Sequence, residues 1–178
     1  MGAMRTFLIG GARSGKSSLA ARWAAERSNN VCCIVTATAS DAEMAARIDL
    51  HRRERPPHWR VREEPIQLGN ALRTAGHDDS LVLIDCLTLW TANCLWPPTG
   101  PTDADITGWH IERDAFLTGL RATASEVIIV SNEVGTSLVP ENAAARLFRD
   151  EQGRLNQLVA AVCDAVFLVT AGLPLRLK

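Results

Sequence analysis

Residues Gly10-Gly11-Ala12-Arg13-Ser14-Gly15-Lys16-Ser17 fit the pattern G-x-x-x-x-G-K-[ST], between an apolar run that reads as a strand and a stretch that reads as a helix. That arrangement suits phosphate. Glycines let the backbone curl so that successive N–H groups point inward, and the helix that follows adds the positive end of its dipole. Lys16 supplies a compact charge for the β- and γ-phosphates, and the Ser17 hydroxyl can ligate Mg²⁺. The chain has 19 Lys+Arg but only two lysines, Lys16 and Lys178, so position 16 stands out against an arginine-rich background. Such a site also needs a carboxylate from the end of another strand to hold the metal shell. Asp85, directly after Leu81 to Ile84, is placed for that role; the plainer reading is an ordinary strand-end aspartate.

A second group of residues crowds between Arg47 and Arg55. Arg47, His51, Arg52, Arg53 and Arg55 follow one another closely, and Arg47 and His51 share a face if the stretch is helical. Arginines neutralise triphosphate charge, and a neutral imidazole among them can attack phosphorus to form a phosphoramidate. The neighbouring positive charges favour that neutral form. On pattern alone the other reading also stands: a charged helix end with a histidine is commonly a solvated face. His58, His77 and His110 have no comparable setting and read as surface or loop residues.

The elements that position these groups are legible as an alternation. Strand-like runs occur at Thr6 to Ile9, Val31 to Thr36, Leu81 to Ile84, Val127 to Val130 and Ala165 to Thr170. Helical patterns fill Lys16 to Arg27, Asp41 to Arg53, Trp109 to Ala124 and Phe148 to Val162, the last weakened by Gly153. The Pro174-containing C-terminus suits an edge strand. The expected fold is α/β, a three-layer P-loop NTPase (RecA-like) arrangement whose mostly parallel central sheet is flanked by helices. Residues 1–178 read as one domain, with 1–3 set aside as a tag remnant; the proline-rich stretch at 97–101 is a loop.

Composition limits the rest. The net charge of -1 argues against nucleic acid as a partner, and no apolar run approaches a membrane span. The five cysteines have no zinc-like spacing and read as buried free thiols of a cytoplasmic protein. Trp59, Trp90, Trp96 and Trp109 are expected in the core.

Taken together, these residues resemble a known family. The stretch Gly10 to Ser17, Glu43-Met44-Ala45-Ala46-Arg47-Ile48, His51, Arg55-Pro56 and His58-Trp59-Arg60 is similar to the adenosylcobinamide kinase/adenosylcobinamide-phosphate guanylyltransferases of cobalamin biosynthesis. So are Leu83 to Trp90, Val130 to Gly135, Val139 to Asn142, Phe148-Arg149-Asp150, the spacing of Gly153 and Asn156-Gln157, and Ala171 to Leu175. The resemblance covers nearly the whole chain in order, apart from about 97–109. It implies phosphorylation of adenosylcobinamide by ATP or GTP, then transfer of GMP from GTP to the phosphate through a guanylylated histidine, at the position of His51. It further implies nucleotide contacts at Thr36, Ala37, Thr38, Arg52, Arg53, Glu54, Arg55 and Glu63, Mg²⁺ at Ser17 and Asp85, a corrinoid substrate and a homo-oligomer, a trimer. Asn132 and Glu133 end a strand at the same edge. Glu133 reads either as a base or metal-water ligand, or as a residue shaping the turn at Val134-Gly135.

Three other readings compete. A P-loop kinase of another small hydroxylated metabolite would leave His51 structural. A GTPase switch or motor is disfavoured, since no Asn-Lys-x-Asp motif is present and Asp85-Cys86-Leu87-Thr88 lacks the glycine of a γ-phosphate switch. A binding-only module would leave Asp85 and His51 idle.

Overall fold

The computed structural model describes residues 3–38, 55–75, 81–97 and 103–178. The chain folds around one seven-stranded sheet. Its strands are β1 (Arg5–Gly10), β2 (Val31–Val35), β3 (Arg60–Glu63), β4 (Leu81–Asp85), β5 (Val127–Asn132), β6 (Ala165–Thr170) and β7 (Leu173–Arg176). Their spatial order is β3-β2-β4-β5-β1-β6-β7, parallel throughout except for the β6–β7 pairing. The described helices are α1 (Lys16–Arg27), α2 (Leu68–Ala75), α3 (Leu87–Leu95), α4 (Ile106–Ala122) and α5 (Ala143–Val162).

Inner strands buried on both faces form continuous apolar runs, and β2, β4 and β5 are buried along nearly their whole length. One face packs Leu19, Ala20 and Ala24 of α1 and Trp59 against Leu8, Cys33, Leu83 and Val130. The other face packs α2 to α5 against Phe7, Ile34, Ile84 and Ile129. Two layers of helix around one sheet are therefore seen, as expected. Trp90 is the centre of the second face, edge-on to Trp109 and Phe116 with ring centroids 5.2 Å away in each case. Trp59, Trp90 and Trp109 are buried, and Trp96 packs partly against the same cluster.

Three elements go beyond the sequence expectation. Strand β3 carries the charged Arg60-Val61-Arg62-Glu63 because it is the sheet edge and mostly exposed, so no apolar run marks it. Helix α3 is apolar almost all round, which hides its period; six of its nine residues are buried. Helix α2 is short, yet Leu68, Ala71, Leu72 and Ala75 do follow helical spacing on its buried side. Two caps move helix starts forward: Asp105 accepts from Gly108 N and Asn142 from Ala145 N, so α4 and α5 begin before Trp109 and Phe148. Gly153 has open space around it and α5 runs through it unbroken. Lys178, the second lysine, donates to the carbonyls of Ala160, Ala161 and Cys163 at the C-terminal end of α5.

One carboxylate is buried between helices. Glu151 is 4% exposed and accepts from Trp109 Nε1 at 2.7 Å, with Arg154 on its other oxygen and His110 Nε2 at 3.7 Å. Burial pushes its pKa up, but the bonds from Trp109 and Arg154 and the charges of Arg154 and His110 outweigh that, leaving it below 4.5. A depressed pKa contributes stability above the unfolded-state value and loses it as pH falls through the folded one. Glu151→Gln is thus expected to lose about 2 kcal/mol at neutral pH. The gap in Tm to the parent protein should shrink as pH drops below about 4.5. Thermal melts at a series of pH values check this; a gap constant down to pH 3 would contradict it.

Candidate active site

All the parallel strands end at the same edge of the sheet. At the centre of that edge the chain leaves β1 at Gly10 and curls into α1. A Cβ on Gly10 would lie 2.4 Å from the Val169 carbonyl oxygen, so only glycine lets β1 run so close to β6. Gly15 caps α1 at φ 89, and Arg13 also lies in the left-handed region at φ 59. The turn is held from behind, where Gly172 N, in the β6–β7 turn, donates to Ser14 O at 2.8 Å. Among the described residues no side chain caps the N-terminus of α1, and its first turn holds no acid, so its first N–H groups and positive dipole end are open to an external anion. Ser14 Oγ is buried without a hydrogen-bond partner among the described residues, a further donor in the same cradle. Gly11, Ala12 and Arg13 are exposed along its rim.

Lys16 is 8% exposed and its Nζ donates to Gly11 O at 3.0 Å, folding the ammonium over the loop. Burial lowers its pKa, with Cys86 and Asp85 opposing. Ser17 Oγ donates to Asp85 Oδ1 at 3.2 Å, and Asp85 Oδ2 pairs with Arg55 Nη2 at 3.3 Å. Adjacent ligands of an octahedral Mg²⁺ lie about 2.9 Å apart, given metal–oxygen distances of about 2.05 Å. The Ser17–Asp85 pair fits that group. No cluster of three His, Cys, Asp or Glu exists among the described residues.

β5 lies between β1 and β4, so its last residues fill the gap between the cradle and Asp85. Glu133 N donates to Gly10 O at 3.0 Å, and Asn132 N donates to Thr88 Oγ1 at 2.8 Å. Behind them Asn156 Nδ2 donates to Asn132 O, and Asn156 Oδ1 accepts from Ser131 Oγ and from Gln152 Nε2. This buried polar network on α5 fixes the strand end, and the sequence pattern does not announce it. Glu133 Oε1 accepts from Gly135 N at 2.6 Å, the turn-shaping geometry.

The remaining candidates are spread along the edge. Thr36 is fully buried; its hydroxyl donates to Cys86 O at 2.6 Å and accepts from Cys86 N at 3.1 Å, clamping β2 to β4. Asn93 Nδ2 donates to Thr36 O at 2.8 Å. Ala37 is half-buried and Thr38 exposed just beyond. Glu63 closes β3 opposite Val35. His51, Arg47, Arg52, Arg53, Glu54 and His77 lie outside the described residues. A cavity of ≈ 370 Å³ opens beside the cradle, bordered by Ser17, Ser18, Arg22, Arg55, Leu83 and Asp85. His58 is exposed, and His110 is half-buried near Glu151.

The five cysteines are free, and burial pushes the thiols of Cys33, Cys94 and Cys163 up to about 12, removing them from nucleophilic chemistry. No helix among the described residues is long and apolar enough to cross a membrane.

Solved structures share the fold. The assembled type III secretion ATPase EscN of enteropathogenic E. coli gives a TM-score of 0.59 at 12% identity, covering 95% of this chain and 43% of that one. The RadB recombinase gives 0.50 at 15%, covering 94% and 74%. At such low identity both speak for architecture alone. Full-length relatives are closer in sequence. The bifunctional adenosylcobalamin biosynthesis protein CobP of Pseudomonas aeruginosa is 45% identical over 98% of both chains. The bifunctional adenosylcobalamin biosynthesis protein CobU of Escherichia coli is 36% identical over 98% of this chain and all of that one. The model of the cobinamide kinase / cobinamide phosphate guanyltransferase family matches residues 6–177, and this chain belongs to that family.

Proposed function

We propose that the protein phosphorylates adenosylcobinamide with ATP or GTP and then transfers GMP from GTP to the product, through a guanylyl group on His51, giving adenosylcobinamide-GDP. The observation that carries this reading is the Lys16–Ser17–Asp85–Arg55 cluster at the sheet edge, in a chain whose sequence matches the family from end to end.

In the first reaction the substrate hydroxyl attacks the γ-phosphorus, the bond to the β-phosphate oxygen breaks, and the hydroxyl proton leaves to a base. Lys16 and the N–H groups of Gly11 to Ser17 hold the phosphates; Ser17 and Asp85 would hold Mg²⁺, which neutralises phosphate charge when bound. In the second reaction an imidazole nitrogen of His51 attacks the α-phosphorus of GTP and pyrophosphate leaves. A phosphate oxygen of adenosylcobinamide phosphate then attacks the guanylyl phosphorus, the P–N bond breaks, and His51 is regenerated. His51 is four positions before Arg55, so chain length alone tethers it within about 14 Å of a residue that reaches Asp85. Arg52 to Arg55 would offset charge developing on the α-phosphate. Glu63 lies four strands from β1, about 19 Å at the usual strand spacing. A nucleotide that reaches it lies along the edge, past Ala37 and Thr38, with its phosphates at β1.

Residues 1–178 act as one domain, and the protein assembles as a homotrimer. In support of assembly, Leu173 and Leu175 on the edge strand β7, and Leu177 beyond it, are each more than half exposed. Five free thiols suit a cytoplasmic enzyme.

The test is product analysis with adenosylcobinamide, GTP and Mg²⁺. The parent protein should yield adenosylcobinamide-GDP. His51→Ala should stop at adenosylcobinamide phosphate. Full conversion by the variant would remove His51 from the mechanism; no phosphorylation by either protein would remove the corrinoid.

A further inference from the structure

We infer that the loop from Val134 to Asn142 is the apolar rest for the substrate's macrocycle, with Leu138 and Val139 against its face. The inference rests on the reading above, that the acceptor is a cobinamide.

The loop leaves β5 beside the phosphate cradle, since Glu133 N is bonded to Gly10 O. It then climbs away from the sheet along α5. Arg149 Nη2 donates to Gly135 O at 2.7 Å, and Arg146 Nη1 donates to Pro140 O at 3.0 Å and to Glu141 O. Ser137 Oγ closes the turn on Val134 O at 3.0 Å. The level of the sheet edge on α5 is set by Gln152 and Asn156, which hold Ser131 and Asn132. From Ala143 to Gln152 the helix rises about 14 Å. The loop and the first turn of α5 therefore stand above the edge, beside the cradle.

On that projection Leu138 is 93% exposed, the highest figure among the large exposed hydrophobic side chains of the described residues, and Val139 is 70% exposed. Two adjacent apolar side chains held outward by a loop pinned at both ends have no packing role within the described chain. Their place points to an occupant that is also being phosphorylated. The reacting hydroxyl must reach the γ-phosphate over Gly10 to Ser17, whereas a corrin ring is far too large to enter the cradle behind it. The ring must rest on the rim, and the hydrocarbon and methyl groups of its faces, exposed between the axial group and the amide side chains, favour apolar surface there. Leu138 and Val139 supply it on the β5 side of the cradle, and the exposed Thr136 beside them offers a hydroxyl to the ring's amide-bearing periphery.

The test uses the full chain, with Leu138→Ser and Val139→Ser combined, and Leu138→Met with Val139→Ile as the apolar-conserving pair. Binding of adenosylcobinamide is followed by equilibrium dialysis using its own visible absorbance, and solution mass by sedimentation. Both positions are exposed, so neither pair should change the melting temperature appreciably. The serine pair should weaken binding at least tenfold at unchanged mass, and the conservative pair should bind nearly as the parent does. Equal binding by the serine pair would overturn the inference. A lower solution mass for the serine pair would also overturn it, assigning the two side chains to a contact with a second copy. Absence of binding by the parent protein would instead sink the corrinoid reading itself.

Discussion

Lys16→Met should abolish both reactions while raising the melting temperature of the nucleotide-free protein. Lys16 is 8% exposed and burial lowers its pKa, so the folded chain pays to keep this ammonium charged at neutral pH. Methionine has a similar length and gives up only the longer-range attraction of Asp85, because the hydrogen bond of Nζ goes to the Gly11 carbonyl and not to a carboxylate. The catalytic loss follows from the same placement. A charge folded over the cradle acts where negative charge accumulates, and deleting one such donor costs about 10²–10³-fold or more. Melting curves with and without Mg²⁺–GTP check the prediction: the variant should melt higher alone and lose most of the nucleotide-dependent rise. A variant that melts lower alone would mean that Lys16 holds the loop together structurally.

Asp85→Asn should be equally inactive and shift stability the other way. Asp85 Oδ2 faces Arg55 Nη2, and these side chains are only 16% and 11% exposed. An amide at 85 leaves the guanidinium without its counter-charge, and breaking a buried pair from one side costs about 3–5 kcal/mol. Partial exposure of both groups puts the expected loss at the lower end of that range or below. Replacing the carboxylate also removes the charged oxygen paired with Ser17, so the Mg²⁺ requirement should rise along with a loss of about 10²–10³-fold in rate. A Mg²⁺ titration of activity, run beside a melt, separates the two effects. Unchanged metal dependence would show that the carboxylate serves Arg55 alone. Opposite stability shifts for two inactive variants distinguish a charge placed for the ligand from a charge placed for the fold.

Much of this was legible before any coordinates. The cradle announces itself because phosphate binding demands glycines where a Cβ has no room, as at Gly10, and where φ is positive, as at Gly15. Asp85 is legible because a buried parallel strand is a continuous apolar run with a polar residue where it meets the edge. The charged edge strand β3 and the all-round apolar α3 were not, since each breaks the periodic contrast by which elements are recognised. The polar support behind β5 was hidden for a different reason. Gln152 and Asn156 sit four apart on a long amphipathic helix, and only the fold reveals that they turn inward to Ser131 and Asn132. The Arg55–Asp85 pairing links positions 30 residues apart, and no local pattern encodes it.

The account turns on one covalent step, so the most direct measurement is label transfer without any corrinoid. The protein is incubated with Mg²⁺ and GTP labelled at the α-phosphate, denatured, and counted. The account predicts one acid-labile, alkali-stable label per chain, absent from His51→Ala. A parent protein that binds GTP yet carries no label after denaturation would contradict it, leaving a P-loop kinase without a guanylylated intermediate.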